Sequence, residues 1–147
     1  MNKIYDYVFY SIYKNTSVTN KSIPEWSTII SISIIIAFNL FSILIFFDFD
    51  IKLIGEKGFG ITPLMIIGLN YLYFLRNKRH LDILKEFEKI ENNLIYDILI
   101  LVYVCLSIFF LFSVLEANLK YPLILITAVI LFSLIPYLMK TKKKQDD

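Results

Sequence analysis

The sequence has little of what metal centres and disulfide frameworks need. It holds one cysteine, Cys105, and one histidine, His80. A single thiol excludes an internal disulfide framework and any site built from several thiolates. A single imidazole likewise excludes a histidine metal cluster. We therefore expect no metal and no cofactor, and the residues offer no constellation typical of an enzyme.

Charged residues are also few. They make up 19% of the chain, whereas 57% is apolar and the mean hydropathy is +0.64. Soluble domains average roughly 45–50% apolar and about 25% charged residues. The composition thus excludes an ordinary soluble domain, and it excludes disorder, which needs low hydrophobicity and high charge. The net charge of +2 is too small to indicate a nucleic-acid partner.

Four long apolar segments organise the chain. They lie at about residues 24–47, 59–76, 95–115 and 121–139. A helix crosses the ~30 Å hydrocarbon core of a bilayer with about 20 apolar residues, and every backbone group there must be bonded internally. The sequence therefore predicts an all-α polytopic membrane protein, with residues 1–147 forming one domain of four transmembrane helices.

The basic residues predict the orientation of these spans. Most of them lie in the N-terminal segment, in the 76–94 connection and in the basic tail at 140–147; only Lys52, Lys57 and Lys120 lie in the other two connections. Cytoplasmic loops carry the excess of lysine and arginine. We expect a bacterial inner (plasma) membrane protein whose two termini and 76–94 connection are cytoplasmic.

The 76–94 connection has the spacing of an amphipathic helix. Ile83, Phe87 and Ile90 recur at helical intervals and form a candidate cytoplasmic contact stripe. This pattern predicts a cytoplasmic extension of the second span, as one unbroken helix or as two with a slight bend near Asn77.

The N-terminal segment predicts a further helix. Apolar and aromatic residues follow one side of it, and Lys3, Asp6, Tyr10 and Lys14 fall on the opposite side. Such a helix is typical of the membrane interface. A helix packed against the 76–94 stripe explains the pattern equally well, so both interpretations stay open here.

Helix starts are indicated at two places. Ser22 and Glu25 have the spacing of a capping box ahead of the first span. Thr62 and Pro63 indicate the start of the second span, because proline is favoured at the first position of a helix.

Candidate sites inside the spans are sparse. Asn39 and Asn70 are the notable amides, and either interhelical hydrogen bonds or pore-facing positions explain them. Ser31 and Ser42 share a stripe that suits close helix packing. Asp97 is either a helix-start carboxylate favoured by the helix dipole or a proton or cation site.

Basic clusters flank the predicted spans. Their default interpretation is contact with anionic lipid headgroups, and binding of an anionic cytoplasmic ligand is the alternative. The residues are Arg76, Lys78 and Arg79 at the exit of the second span, and Lys140, Lys142, Lys143 and Lys144 in the tail.

Three features of the chain carry a loose family resemblance: the Ile23-Pro24-Glu25-Trp26 entry, the Tyr-Phe-Leu-Arg-Asn-Lys-Arg segment at 73–79, and the apolar third span. Through them the layout resembles small uncharacterised four-span inner-membrane proteins of Bacteroidota, a resemblance that implies a fold but no function. Small multidrug transporters are similar in span number, but they rely on a carboxylate inside the first span, where this chain has none.

Two function classes follow. The first is a non-enzymatic structural or accessory subunit that acts through helix contacts, with the lipid bilayer and either itself or another membrane protein as partners. The second is a homo-oligomeric pore or channel, including a membrane-disrupting effector, which Asn39, Asn70 and the serine stripe would line. Holin-like pore formers are similar in size, apolar content and lysine-rich tail.

Overall fold

Helices account for nearly all of the chain that the structure describes. The computed structural model describes residues 3–49, 55–88, 94–116 and 118–143, and within them it holds helices and turns but no strand. The all-α prediction is confirmed. The α-helices are α1 (Lys3–Thr19), α2 (Pro24–Phe46), α3 (Gly55–Phe74), α4 (Arg79–Glu88), α5 (Leu94–Val114) and α6 (Lys120–Lys143).

The start of α2 differs from the predicted capping box. The N-cap is Ile23, without a side-chain hydrogen bond, and Pro24 opens the helix. The Asn20 side chain bonds twice to the start of α2. Its Oδ1 accepts from the Ile23 N–H at 3.4 Å, and its Nδ2 donates to Ser27 Oγ at 2.8 Å. The predicted capping box is therefore wrong: Asn20 links the end of α1 to the start of α2, and no side chain caps α2.

The start of α3 also lies earlier than predicted. The helix begins at Gly55 and contains Pro63 in its interior, so the predicted start at Pro63 is wrong. Proline lacks an N–H, and the carbonyl four residues before it loses its usual donor. Thr62 does not cap the helix, because its Oγ1 donates to the Gly58 carbonyl of the preceding turn at 2.8 Å.

A left-handed turn separates α3 from α4. A short 3-10 turn covers Arg76–Lys78, and Asn77 and Lys78 have φ angles of 58° and 59°. Residues with side chains cost about 1–2 kcal/mol each in this region, and asparagine tolerates it best. The unbroken extension of the second span is therefore wrong, and the amphipathic segment is a separate helix.

The N-terminal helix α1 packs against that segment. Phe9 of α1 is fully buried in one cluster with Ile29 and Ile32 of α2, Phe74 of α3, and Ile83 and Phe87 of α4. The Phe9 and Phe74 rings stack with centroids 4.4 Å apart. Of the two interpretations of the N-terminal segment, the structure supports a helix packed against α4. This cluster is the principal core of the described chain, and four helices meet in it.

The longer helices form an open layer. α2 packs against α3 on one side and against α5 on the other, and α5 packs against α6. Among the described residues, α3 and α6 make at most marginal contact with each other, so the order α3–α2–α5–α6 does not close into a ring. α1 crosses this layer and contacts α2, α4, α5 and α6.

Among the described residues, two helices are long and apolar enough to cross a membrane by length and composition. They are Pro24–Phe46 and Ile95–Val114, with 28% and 11% of their most apolar windows buried. A core helix of a soluble protein would be mostly buried, so the exposure of both favours membrane association. The apolar parts of the other two helices, Gly60–Phe74 and Lys120–Leu134, are shorter.

Candidate functional site

Polar side chains gather where α1 crosses the longer helices. Three separate hydrogen-bonded groups join α1 to α3 and α4, to α3 and α2, and to α5. We call these the Arg79 group, the Asn70 group and the Asp97 group. Together with the buried hydrogen bond between Thr16 of α1 and Thr28 of α2, at 2.7 Å, they hold α1 on the layer.

The Arg79 group neutralises a buried carboxylate. Asp6 of α1 is 1% exposed, and Arg79 Nη2 lies 3.0 Å from each of its two carboxylate oxygens. The same nitrogen donates to the Tyr73 hydroxyl at 2.8 Å, and the guanidinium carbon lies 3.9 Å from the centre of the Tyr73 ring. A buried charge is tolerated when it is paired and further bonded, and the aromatic face adds a cation–π contact.

The Asn70 group links three helices through neutral groups. The Tyr5 hydroxyl donates to Asn70 Oδ1, and Asn70 Nδ2 donates to Ser33 Oγ at 2.8 Å. Burial, followed by the nearby Tyr73, raises the pKa of Tyr5 to about 12, and the hydrogen bond to Asn70 opposes that rise. Tyr5 therefore stays a neutral donor at physiological pH, and the oxygen and the nitrogen of the Asn70 amide each bond to another helix.

The Asp97 group ties α1 to the first turn of α5. Ser11 Oγ donates to Asp97 Oδ1 at 2.8 Å and Tyr7 OH donates to the same oxygen at 3.2 Å. Lys14 Nζ lies 3.2 Å from Oδ2 and completes an ion pair. All of these donors come from α1, so the carboxylate at the start of α5 serves as a docking point for that helix.

Asn39 forms a fourth polar contact, deeper in the layer and away from α1. Its Nδ2 lies 2.8 Å from the Ile35 carbonyl of its own helix, 2.9 Å from Tyr103 OH and 3.1 Å from Ser107 Oγ of α5. The amide therefore bridges α2 and α5.

The serine stripe of α2 points its hydroxyls back at the helix. Ser31 Oγ donates to the Ser27 carbonyl at 2.9 Å and Ser42 Oγ donates to the Phe38 carbonyl at 2.7 Å. Ser42 is fully buried. These bonds satisfy the hydroxyls locally, which leaves small side chains suited to close packing.

The remaining candidates divide between surface, core and residues outside the description. Arg76 and Lys78 are exposed at the turn after α3, whereas Arg79 pairs with Asp6. Ile83 and Phe87 of the contact stripe are buried. Ile90 and Lys144 lie outside the described residues, as do the side chains of Lys140, Lys142 and Lys143.

Sequence reasoning missed the partners of these groups. The sequence pattern places Asp6 on the side of α1 opposite the apolar residues, but Asp6 is buried together with Phe9 and Thr16. The signal was present in the spacing, since residues 6, 9, 13 and 16 follow helical intervals of three and four. Ser33, Tyr103 and Ser107 carried no such signal, because only the tertiary arrangement brings them to the two amides.

The described residues offer no constellation for metal chemistry. No group of three or more His, Cys, Asp or Glu side chains within them could hold a metal ion. Two half-open, mainly apolar cavities of about 740 Å³ each lie along α2 and α5 on either side of their contact, and α1 borders both. What the arrangement can do is bind apolar groups and hold helices together.

No family model, curated protein or solved structure matches this chain. The function is therefore argued from the contacts of its own residues.

Proposed function

We propose that this chain is a four-span protein of the bacterial inner membrane, with both termini cytoplasmic, that acts as a non-enzymatic structural or accessory subunit. Its work is to hold helices in contact, within itself and with a further membrane-embedded copy or partner. The bilayer is its solvent, and no cofactor takes part.

The exposed apolar surface supports the membrane assignment. Large apolar side chains on α3, α5 and α6 are more than half exposed, among them Leu64, Leu69, Leu106 and Ile124. Contiguous apolar surface of this extent is unfavourable in water and marks contact with membrane or protein. In hydrocarbon the same surface carries no penalty.

Helix lengths support four spans. α3 has 20 residues and α6 has 24, which gives about 30 Å and about 36 Å at 1.5 Å per residue. Counted with their charged ends, both helices are as long as a hydrocarbon core of about 30 Å is thick, although their apolar parts are shorter. The lysine and arginine distribution then favours cytoplasmic termini.

The hydrogen bonds of the two amides favour a structural role over a pore. Asn39 bonds to α5, and Asn70 bonds to α1 and α2. An amide that lines a water path would keep donors free for water or a permeant ion. Amides that bond across helices act as interhelical contacts, each worth about 0.6 kcal/mol on average and up to about 2 kcal/mol.

The membrane assignment is tested by cysteine labelling in a Cys105→Ala background. A cysteine at Glu116 is expected to react with an impermeant reagent added outside intact spheroplasts, and a cysteine at Lys85 is expected to react only after lysis. Carbonate washing should leave the chain in the membrane pellet. A chain released by carbonate, or the reverse labelling pattern, would refute the four-span proposal.

The functional assignment is tested with a membrane-potential dye during overexpression. Wild type and Asn39→Leu are both expected to leave the potential unchanged, and Asn39→Leu should lower stability in detergent by about 1 kcal/mol or less. Ile43→Leu, on the exposed side of the same helix, is the matched control and should change neither. Depolarisation by wild type that Asn39→Leu abolishes at equal protein level would instead establish a pore.

A further inference from the structure

One of the two cavities is a groove between three of the longer helices. We call it the α2–α5–α6 groove. Its wall is formed by Ile34 and Phe38 of α2, Leu101 of α5, and Leu125, Val129 and Phe132 of α6, and its volume is about 740 Å³. α5 forms the floor, because α2 and α6 both pack against it and make at most marginal described contact with each other. The groove therefore opens sideways, between α2 and α6.

The charged side chains that border this groove lie at one end. Ser11, Lys14 and Asn15 of α1 and Asp97 of α5 border it there. Three serines line the groove elsewhere, but each hydroxyl donates to a carbonyl of its own helix: Ser31 to Ser27, Ser107 to Tyr103 and Ser133 to Ile130. Away from α1, the groove presents an apolar wall with satisfied hydroxyls.

The length of the groove matches one leaflet. Along α5 it extends over twelve residues, from Asp97 to Ile108, and the eleven steps between them span about 16 Å at 1.5 Å each. Half of a hydrocarbon core of about 30 Å is about 15 Å. A partner helix would need a surface running the full depth of the membrane, and α1 crosses the end of this one. A lipid acyl chain spans one leaflet, so it needs only the length that the groove has.

Charge at the polar end indicates the headgroup. Lys14 and Asp97 form an ion pair and nearly cancel. α6 runs back beside α5 and ends at Lys143, so the sequence brings Lys140, Lys142 and Lys143 to the same end of the layer as Asp97. Basic residues near the cytoplasmic membrane surface attract anionic lipid. The sequence therefore adds three lysines to an end of the layer whose ion pair nearly cancels.

We propose that the α2–α5–α6 groove binds one acyl chain of an anionic phospholipid from the cytoplasmic leaflet. The headgroup lies beside α1 and the end of α6, and the acyl chain follows Leu101, Val129 and Phe132 toward the middle of the membrane. This proposal rests on the membrane assignment above. The lipid fills the open side of the layer and contacts both α2 and α6.

The test is to count lipids that stay bound after purification. The full chain is reconstituted in vesicles of equal parts phosphatidylglycerol and phosphatidylcholine, extracted in mild detergent, and measured by native mass spectrometry, which resolves the two headgroups by mass. Wild type is expected to retain one phosphatidylglycerol per chain. Ala128→Trp and Ile34→Trp fill the groove from α6 and from α2, and both are expected to lose that lipid.

The matched control is Leu131→Trp. Leu131 lies on α6 three residues from Ala128, is 62% exposed and does not line the groove. It is expected to retain the lipid as wild type does. Replacing Lys140, Lys142 and Lys143 with glutamine should remove the preference for phosphatidylglycerol, since the positive charges that these lysines bring to that end are gone.

Three results would overturn the groove proposal: a wild type without retained phospholipid, groove variants that retain as much as the control, or a retained lipid that is phosphatidylcholine. Carbonate washing of the same preparations separates this from the wider proposal. A chain that stays in the pellet but holds no lipid refutes only the groove, whereas a chain released by carbonate refutes the membrane assignment and the groove together.

Discussion

Breaking the Asp6–Arg79 pair should affect stability unequally, depending on which partner is removed. Arg79→Met removes the cation that lies 3.0 Å from both oxygens of a carboxylate that is 1% exposed. Removing one partner of a buried ion pair costs about 3–5 kcal/mol. The Arg79 side chain is 27% exposed, which admits some water to the pair, so we expect the lower end, about 3 kcal/mol.

Asp6→Asn should cost less. The amide keeps an oxygen that accepts from Arg79, and the guanidinium keeps its contacts with the Tyr73 hydroxyl and ring. Arg79 Nε has no hydrogen-bond partner among the described residues, so the native pair does not satisfy every donor either. Hydrogen bonds to charged groups contribute about 1.5–3 kcal/mol, and a retained neutral bond recovers part of that. We expect a loss of about 1–2 kcal/mol for Asp6→Asn.

The free energy of unfolding is measured by reversible unfolding in mixed micelles, with circular dichroism as the readout. The double variant Asp6→Asn/Arg79→Met completes a double-mutant cycle. Arg76→Met is the matched control, since Arg76 is exposed three residues earlier and should change stability by at most about 0.5 kcal/mol. The cycle should give a coupling energy above about 1 kcal/mol for Asp6 and Arg79. The buried pair would not hold α1 if Arg79→Met lowered stability as little as Arg76→Met does. A coupling energy of zero between Asp6 and Arg79 would have the same meaning.

Three further outcomes are expected from the same measurements. Phe87→Ala should destabilise the fold by about 3 kcal/mol because the Phe87 ring is buried against α1. Leu81→Ala, on the exposed side of α4, is the control and should cost less than about 0.5 kcal/mol. Equal losses of stability in the two variants would contradict the α1–α4 contact. The raised pKa of Tyr5, about 12 against an ordinary 10, means that its contribution to stability is complete below pH 10 and is lost as the pH rises through 12. An alkaline absorbance titration of Tyr5→Phe should therefore lack a phenol that ionises near pH 12, and loss of one that ionises near pH 10 would refute its burial. Asn77→Gly should keep wild-type stability while Asn77→Val costs about 1–2 kcal/mol, and similar values for the two would rule out the left-handed turn.

The sequence could predict what local patterns determine. The apolar segments predict helices, and the spacing of Ile83 and Phe87 predicts an amphipathic helix; both features are observed. The segment from Arg76 to Lys78 shows the limit of such reasoning. No glycine or proline marks a break there, and asparagine is only a weak signal for a positive φ, so the left-handed turn was expected as a slight bend at most.

Partners across helices could not be predicted in the same way. Asn39 and Asn70 were recognisable as amides that needed bonds, because an unsatisfied amide in hydrocarbon is costly. Which hydroxyls supply those bonds depends on the order α3–α2–α5–α6, and no local pattern encodes that order. Asp6 was misjudged for a related reason. A charged residue among lysines and tyrosines suggests a solvated face, and its partner Arg79 lies 73 residues away.

The distance in sequence between α1 and its partners determines when α1 can dock. Asp6 pairs with Arg79 across 73 residues, and Lys14 pairs with Asp97 across 83. Contacts of such separation form only after the intervening chain is in place, because closing so long a loop costs entropy that local contacts do not offset. The contacts between α1 and α2 span shorter loops: Thr16 bonds to Thr28 across 12 residues, and Phe9 packs on Ile29 and Ile32. These contacts need only the first half of α2, whereas the two ion pairs need α4 and the start of α5. We therefore expect α1 to pack on α2 before it forms either ion pair.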